Sequence, residues 1–192
     1  MEIRVEHLWK SYNGAAVLRD VTFTAGPGFT CIMAPSGGGK TTLLRILLGL
    51  ETADSGTVEA AGCWAAVFQE DRLLEHLDAA GNLRFALGGQ YDAARAGAVL
   101  AELGLDDVGG KAVRDFSGGM GRRLALARCL ACGGDVVLLD EPFAGVDLPR
   151  AERILARIRA LHVPVLLSTH QPELLAQCGH VLEAAGPPLQ LR

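Results

Sequence analysis

Apolar residues along this chain follow two rhythms. Residues 2–8 alternate, with Ile3, Val5 and His7 set against Glu2, Arg4 and Glu6, the period of a half-exposed strand. Trp9 to Gly14 reads as a turn and Val17–Phe23 as a second strand. Gly26-Pro27-Gly28 then turns the chain into a short apolar run, Phe29–Met33, of the kind buried in a sheet. Beyond Lys40 the period changes: Leu43, Leu44, Ile46, Leu47 and Leu48 predict a helix ending near Gly49. A loop over 51–56, a short strand Thr57–Ala61 and an apolar strand Trp64–Phe68 follow, the last ending at Gln69.

From Arg72 to Arg114 the alternation disappears. Leu73, Leu74, Leu77, Leu83, Phe85, Leu87, Val99, Leu100, Leu103 and Leu105 fit two or three helices, broken at Gly88-Gly89 and Gly109-Gly110. Helical spacing resumes at Leu124, Leu126, Ala127, Leu130 and Ala131. Val136–Leu139 is a fully apolar strand ending in Asp140-Glu141-Pro142. Leu148–Leu161 predicts an amphipathic helix, with Arg150, Arg153, Arg157 and Arg159 mostly on its solvated face. Pro164–Thr169 is a further buried strand ending at His170. Pro172 opens a short helix to Gln177, and His180–Glu183 is the last strand. Strands alternating with helices predict an α/β fold with a mainly parallel sheet. The expected organisation is a single domain over 1–192, with its core at 1–71 and 115–192 and a helical insert at about 72–114.

Bulk properties narrow this further. With 49% hydrophobic and 21% charged residues in 192, the chain packs a core rather than staying disordered. A net charge of −4 argues against a nucleic-acid partner, which calls for a basic excess. The mean hydropathy of +0.25 raises the question of a membrane span. The longest uncharged stretch, Val21–Gly39, is broken by Gly26, Pro27, Gly28, Pro35, Ser36 and Gly37, which excludes a spanning helix there. Met1–Glu6 alternates charge with apolar residues and is not a signal peptide, so a cytoplasmic location is expected. Five cysteines without a signal suggest reduced thiols. Cys129 and Cys132, a C-x-x-C within a predicted helix, read as small buried residues rather than a metal or redox pair.

The candidate chemistry starts where the apolar run Phe29–Met33 meets Pro35-Ser36-Gly37-Gly38-Gly39-Lys40-Thr41-Thr42. Strand, glycine loop, Lys-Thr and helix form a phosphate cradle. The glycines let backbone N–H groups curl around an anion, and the helix N-terminus adds partial positive charge. Lys40 can reach β- and γ-phosphates, and the Thr41 hydroxyl can ligate Mg²⁺. Three strands end in polar residues, Gln69, Asp140-Glu141 and His170, where sites form in parallel sheets. Asp140 stands where a P-loop ATPase holds Mg²⁺, directly or through water. Glu141, one residue on, can polarise an attacking water. His170 can hydrogen-bond the γ-phosphate, and the Gln69 amide can reach the metal or the water. Ser117-Gly118-Gly119 at a helix start is a second anion site. The first loop already wraps the phosphates, so this second site is expected to serve a neighbouring copy.

Taken together, these residues resemble the ATP-binding cassette ATPases of ABC transporters over essentially the whole chain. Ala34–Thr42 resembles the Walker A loop, Gln69 the Q-loop, and Phe116–Met120 the signature motif. Val136–Pro142 with Glu141 resembles Walker B, Gly145-Val146-Asp147 the D-loop, and His170 the switch histidine. Tyr12 corresponds to the residue that stacks on adenine, with Trp9 close by. Ala34 replaces a usual Gly, Met120 a usual Gln, and Gly145-Val146 a more common Ala-Leu.

The resemblance implies a P-loop NTPase with an ABC-type core, an N-terminal antiparallel β part and a helical insert. It implies ATP and Mg²⁺ as cofactors, with Thr41, Gln69 and Asp140 toward the metal and Glu141, His170 and Gln69 catalytic. It also implies a second cassette (identical or paralogous) that sandwiches two ATP molecules, integral membrane permease subunits as partners, and a place on the cytoplasmic face of the membrane. Val67–Leu74 resembles the segment in nitrate, sulfonate and taurine importers, with Glu75 where Pro is frequent. That reading brings in a solute-binding protein. A non-transport ABC ATPase and a weakly hydrolysing ATP-binding module are the alternatives.

Overall fold

The computed structural model describes residues 1–191. Strands β1 (Ile3–Tyr12) and β2 (Ala15–Ala25) form an antiparallel hairpin around Asn13-Gly14. Both turn residues have positive φ (51° and 80°), as a two-residue hairpin turn requires. Trp9–Tyr12 therefore lie on the strand, not in the expected turn. The expected inward set also changes. Ile3, Val5 and Leu8 are buried, while His7 is exposed. His7 takes φ 49° at a register shift between Val5 and Leu8, so one extra residue flips the alternation. The bulge is held by the His7 N–H donating to Thr22 Oγ1 (2.9 Å) and by His7 Nδ1 lying 2.7 Å from Asp20 Oδ1.

Strand β4 (Ser55–Glu59) pairs antiparallel with the other edge of β1, giving the order β2-β1-β4. It lies two residues earlier than the alternation predicts. Gly56 (φ 94°) makes this possible, since a Cβ there would sit 2.4 Å from the His7 carbonyl oxygen.

The second sheet contains β3 (Gly28–Met33), β5 (Trp64–Val67), β6 (Val136–Asp140), β7 (Pro164–Ser168), β8 (His180–Ala185) and β9 (Gln190–Leu191). Its order is β5-β6-β7-β3-β8-β9. β3 runs parallel to β7 and β8, with Cys31 opposite Leu167 and Val181, and β9 closes antiparallel on β8. Every residue of β6 and β7 is buried, as the apolar runs predict.

The chain divides into two compact units. The first contains residues 1–64, 135–138 and 162 onwards. Its helix α1 (Lys40–Leu47) buries Leu43, Leu44, Ile46 and Leu47, the stripe read from the sequence. The second unit contains residues 65–134 and 139–161. Its helices are α2 (Ala79–Leu87), α3 (Ala93–Glu102), α4 (Gly118–Cys132) and α5 (Leu148–Arg159). Asp78, Asp92, Ser117 and Asp147 cap them, each accepting a backbone N–H from the first turn. Such a cap contributes about 1 kcal/mol. α2 and α3 pack on α4, and Leu83, Leu103, Leu124 and Leu126 are all fully buried.

Among the described residues no helix is long and apolar enough to cross a membrane. All five cysteines are free, and no cluster of three or more His, Cys, Asp or Glu among the described residues could hold a metal. Cys129 is buried, which pushes its thiol up to about 12.

Candidate functional site

The glycine loop forms because three successive glycines relieve three different constraints. Gly37 takes φ 72° in open space. Gly38 donates its N–H to the Pro35 carbonyl (2.9 Å), and a Cβ there would lie 2.8 Å from that same oxygen. Gly39, with φ 100°, is the N-cap of α1 and leaves the helix start without a side-chain cap. The unpaired N–H groups of a helix start are donors for an anion. Pro35, Ser36, Gly37 and Thr41 are exposed, and Ala34, in place of the usual glycine, is buried.

Lys40 bends back over the loop. Its Nζ donates to the Ala34 carbonyl (3.2 Å) and lies 3.4 Å from His170 Nε2. This convergence follows from topology: β3 and β7 are parallel neighbours, so the loops after Met33 and Ser168 emerge side by side. A cavity of about 380 Å³ opens there, lined by Met33, Ala34, Pro35, His170, Glu183 and Ala184.

The loop also has a backing from a segment far along the chain. Leu189 is fully buried; its N–H donates to the Val17 carbonyl (2.8 Å) and its carbonyl accepts from Arg19 N–H (2.9 Å). A Cβ on Gly39 would meet the Val17 carbonyl oxygen at 2.7 Å and Leu189 Cβ at 3.1 Å. A Cβ on Gly186 would meet the Gly38 carbonyl at 2.8 Å. The segment 186–189 thus presses on the back of the phosphate loop.

Tyr12 ends β1, half-exposed, with Lys10 Nζ 5.0 Å from its ring centre. Lys10 Nζ also lies 2.9 Å from Glu51 Oε1 and donates to the Thr52 carbonyl (2.7 Å). Their mutual hydrogen bond holds the Lys10 ammonium above, and the Glu51 carboxyl below, its ordinary value. Trp9, the neighbouring aromatic, is exposed on the same strand.

The second unit holds the remaining candidates. Asp140 is the buried last residue of β6, and Glu141 follows with φ 47°, a strained conformation for a side-chain-bearing residue. Ser117 Oγ accepts the Met120 N–H (3.3 Å) as the cap of α4, and Gly118 and Gly119 form the helix start. A Cβ on Gly119 would lie 3.1 Å from the Gly145 carbonyl oxygen, so these two turns approach closely.

Gln69 follows β5, and its carbonyl accepts from Arg122 Nη2 of α4. Burial raises the Asp71 carboxyl above its ordinary value while Arg122 and Arg128 pull it down. Asn82, also buried, fixes the next stretch: its Oδ1 accepts the Leu74 N–H (2.9 Å) and its Nδ2 donates to the Leu74 carbonyl (3.1 Å). Arg122, Arg128, Asn82 and Leu189 were not legible as site-supporting residues, because a buried arginine and an exposed one look alike in a sequence.

Lys40, Thr41, Thr42, Tyr12 and His170 therefore belong to one unit, and Gln69, Asp140, Glu141 and Ser117–Gly119 to the other. The glycine cradle fits a phosphate in kind, since α1 starts at Gly39 with no side chain capping its first-turn N–H groups. By chemistry alone, Thr41 offers a hydroxyl in the first unit, and Asp140 and Gln69 a carboxylate and an amide in the second, all oxygen donors of the kind Mg²⁺ takes.

A strand, a glycine loop closed by lysine, and a helix, set in a mainly parallel sheet, define a P-loop NTPase fold. Solved structures agree on the fold. The ATP-binding subunit of an ABC transporter superposes with a TM-score of 0.85 at 22% identity, covering 95% of this chain and 85% of that one. A bacterial ABC transporter cassette solved as a dimer also gives 0.85, at 23% identity, covering 95% and 94%. The chain belongs to the ABC transporter family, whose model matches residues 18–144. Similar curated proteins include the aliphatic sulfonates import ATP-binding protein SsuB 3 of Nocardia farcinica, 39% identical over 176 residues, covering 89% of this chain and 71% of the relative. SsuB of Corynebacterium glutamicum is 38% identical over 190 residues (93% and 78%). The Fe(3+) ions import ATP-binding protein FbpC 3 of Rhodococcus jostii is 38% identical over 206 residues (93% and 58%).

Proposed function

We propose that this chain is the ATP-binding and ATP-hydrolysing subunit of an ABC importer, acting in a pair of cassettes beneath integral membrane permease subunits on the cytoplasmic face. The observation that carries this reading is the convergence of Lys40 Nζ and His170 Nε2, 3.4 Å apart, at the mouth of the glycine loop. In this reading Pro35–Thr42 cradle the phosphates, with Lys40 on the β- and γ-groups and Tyr12 stacked on the base. Thr41, Asp140 and Gln69 hold Mg²⁺, which neutralises charge on the transferred phosphoryl group when bound. Glu141 polarises the attacking water and His170 steadies the γ-phosphate. Ser117, Gly118 and Gly119 close on the ATP held by the second cassette.

The cargo class is an organic sulfonate, delivered by a solute-binding protein. What supports it is the likeness to several sulfonate import ATP-binding proteins, joined to the Val67–Leu74 segment. A weakly hydrolysing module is the second reading, favoured by Ala34 and Met120. Steady-state hydrolysis of Mg²⁺-ATP decides between them. A rate at least about tenfold above Lys40→Ala supports the ATPase; equal rates overturn it.

A further inference from the structure

Two arginines on α4 grip the backbone of the Gln69 loop. Arg122 is 7% exposed. Its Nη1 donates to the Phe68 carbonyl (2.5 Å) and its Nη2 to the Gln69 carbonyl, a fork over two successive peptide groups. Nη1 also lies 3.2 Å from Asp71 Oδ1, which places a counter-charge beside the buried guanidinium. Farther along the helix, Arg128 Nη2 donates to the Asp71 carbonyl (2.9 Å) and Nη1 to the Arg72 carbonyl (2.7 Å). Between cap and clamp, a Cβ on Gly121 would lie 2.9 Å from Asp71 Oδ2, so a side chain there would have to displace the Asp71 carboxylate.

Burying a guanidinium is costly unless its donors are satisfied. The Asp71 carboxylate offsets part of that cost, and the two carbonyls satisfy further donors. What the fork provides is geometry: a planar guanidinium fixes two carbonyls in direction as well as distance. The carbonyl it fixes belongs to the residue whose amide is to meet the metal or the water. Ser117 caps the same helix five residues earlier, about 7.5 Å along the axis at 1.5 Å per residue.

We propose that Arg122 is a positioning residue for Gln69, fixing the backbone that presents the Gln69 amide and making residues 68–72 and the Ser117 end of α4 move as one piece. The proposal rests on the reading of the chain as an ATPase. Its consequence is a mechanical link between two ATP sites: Ser117 serves the ATP of the second cassette, and Gln69 serves the chain's own.

The test uses the wild type, Arg122→Met, Arg122→Lys, Gln69→Ala and Gln69→Ala/Arg122→Met. Lysine keeps the charge beside Asp71 but cannot fork, so it guards against a variant that merely fails to fold. Hydrogen exchange of the nucleotide-free proteins is expected to speed up about tenfold over residues 68–72 in both Arg122 variants, with α1 unchanged. In ATP hydrolysis, kcat should fall about 10- to 100-fold, the scale of a small misplacement of a reacting group, with KM within about twofold of wild type. The double variant should be no slower than Gln69→Ala. Unchanged exchange over 68–72, or a double variant slowed by the product of the single effects, overturns the proposal. A wild type that hydrolyses no ATP overturns the ATPase reading itself, and the exchange result then stands alone on whether the clamp holds the loop.

Discussion

Replacing Gly39 by alanine tests how the phosphate loop is held. The residue has φ 100°, a conformation that costs a side-chain-bearing residue about 1–2 kcal/mol. The new methyl would also meet the Val17 carbonyl oxygen at 2.7 Å, Leu189 Cβ at 3.1 Å and Leu18 Cδ2 at 3.3 Å. Two of these, a backbone oxygen and a Cβ, cannot swing away, so overpacking adds about 1–3 kcal/mol. Gly37→Ala is the control: its φ of 72° carries the conformational cost, but nothing lies within 4 Å of its Cβ position. The two variants should therefore differ by about 2 kcal/mol, or about 4–8 °C in Tm for a chain of this size. Both tryptophans, Trp9 and Trp64, lie in the unit that carries the loop, so their fluorescence follows its unfolding. Equal Tm losses in the two variants would refute the claim that β2 and segment 186–189 press on the loop.

Thiol labelling at pH 8 should modify exposed Cys63 quickly and Cys129 only on unfolding, since burial raises the Cys129 thiol to about 12; equal labelling rates would contradict the packing of α4. The Lys10–Glu51 pair sets a pH dependence. Glu51 is lowered from 4.5 by its hydrogen bond to Lys10, so its contribution is present above pH 4.5 and lost as pH falls through the lowered value. Glu51→Gln should flatten the acid limb of the urea midpoint below about pH 4.5, and an unchanged limb would show the pair contributes nothing.

How much the sequence reveals depends on the range of the interactions. The glycine loop, the strand ends at Asp140 and His170, and the helix start at Ser117 are local patterns, and they appear where the periodicity predicts. The span of β1 departs from the alternation because the bulge at His7 flips it and because Asn13-Gly14 is itself the hairpin turn. The place of β4 depends on Gly56 crossing that bulge, a contact between residues far apart in the chain. Leu189 behind the loop and Arg122 beneath Gln69 are also non-local: nothing in Pro188-Leu189-Gln190 or in Gly121-Arg122-Arg123 distinguishes them from surface residues. The division into two units, with residues 139–161 grouped with 65–134, likewise depends on contacts between stretches far apart in the chain rather than on any composition shift.

In the proposed cassette pair, the glycine loop of one chain and Ser117 of the other close on the same ATP. Glu141→Gln tests it most directly, because removing the base should lower turnover by about 10²–10⁴ while leaving the nucleotide bound. Light scattering of that variant with Mg²⁺-ATP, alone and with its permease partner, is the measurement. A dimer should form with ATP and be lost when Lys40→Ala is added. A Glu141→Gln protein that stays monomeric with ATP and permease both present would contradict it.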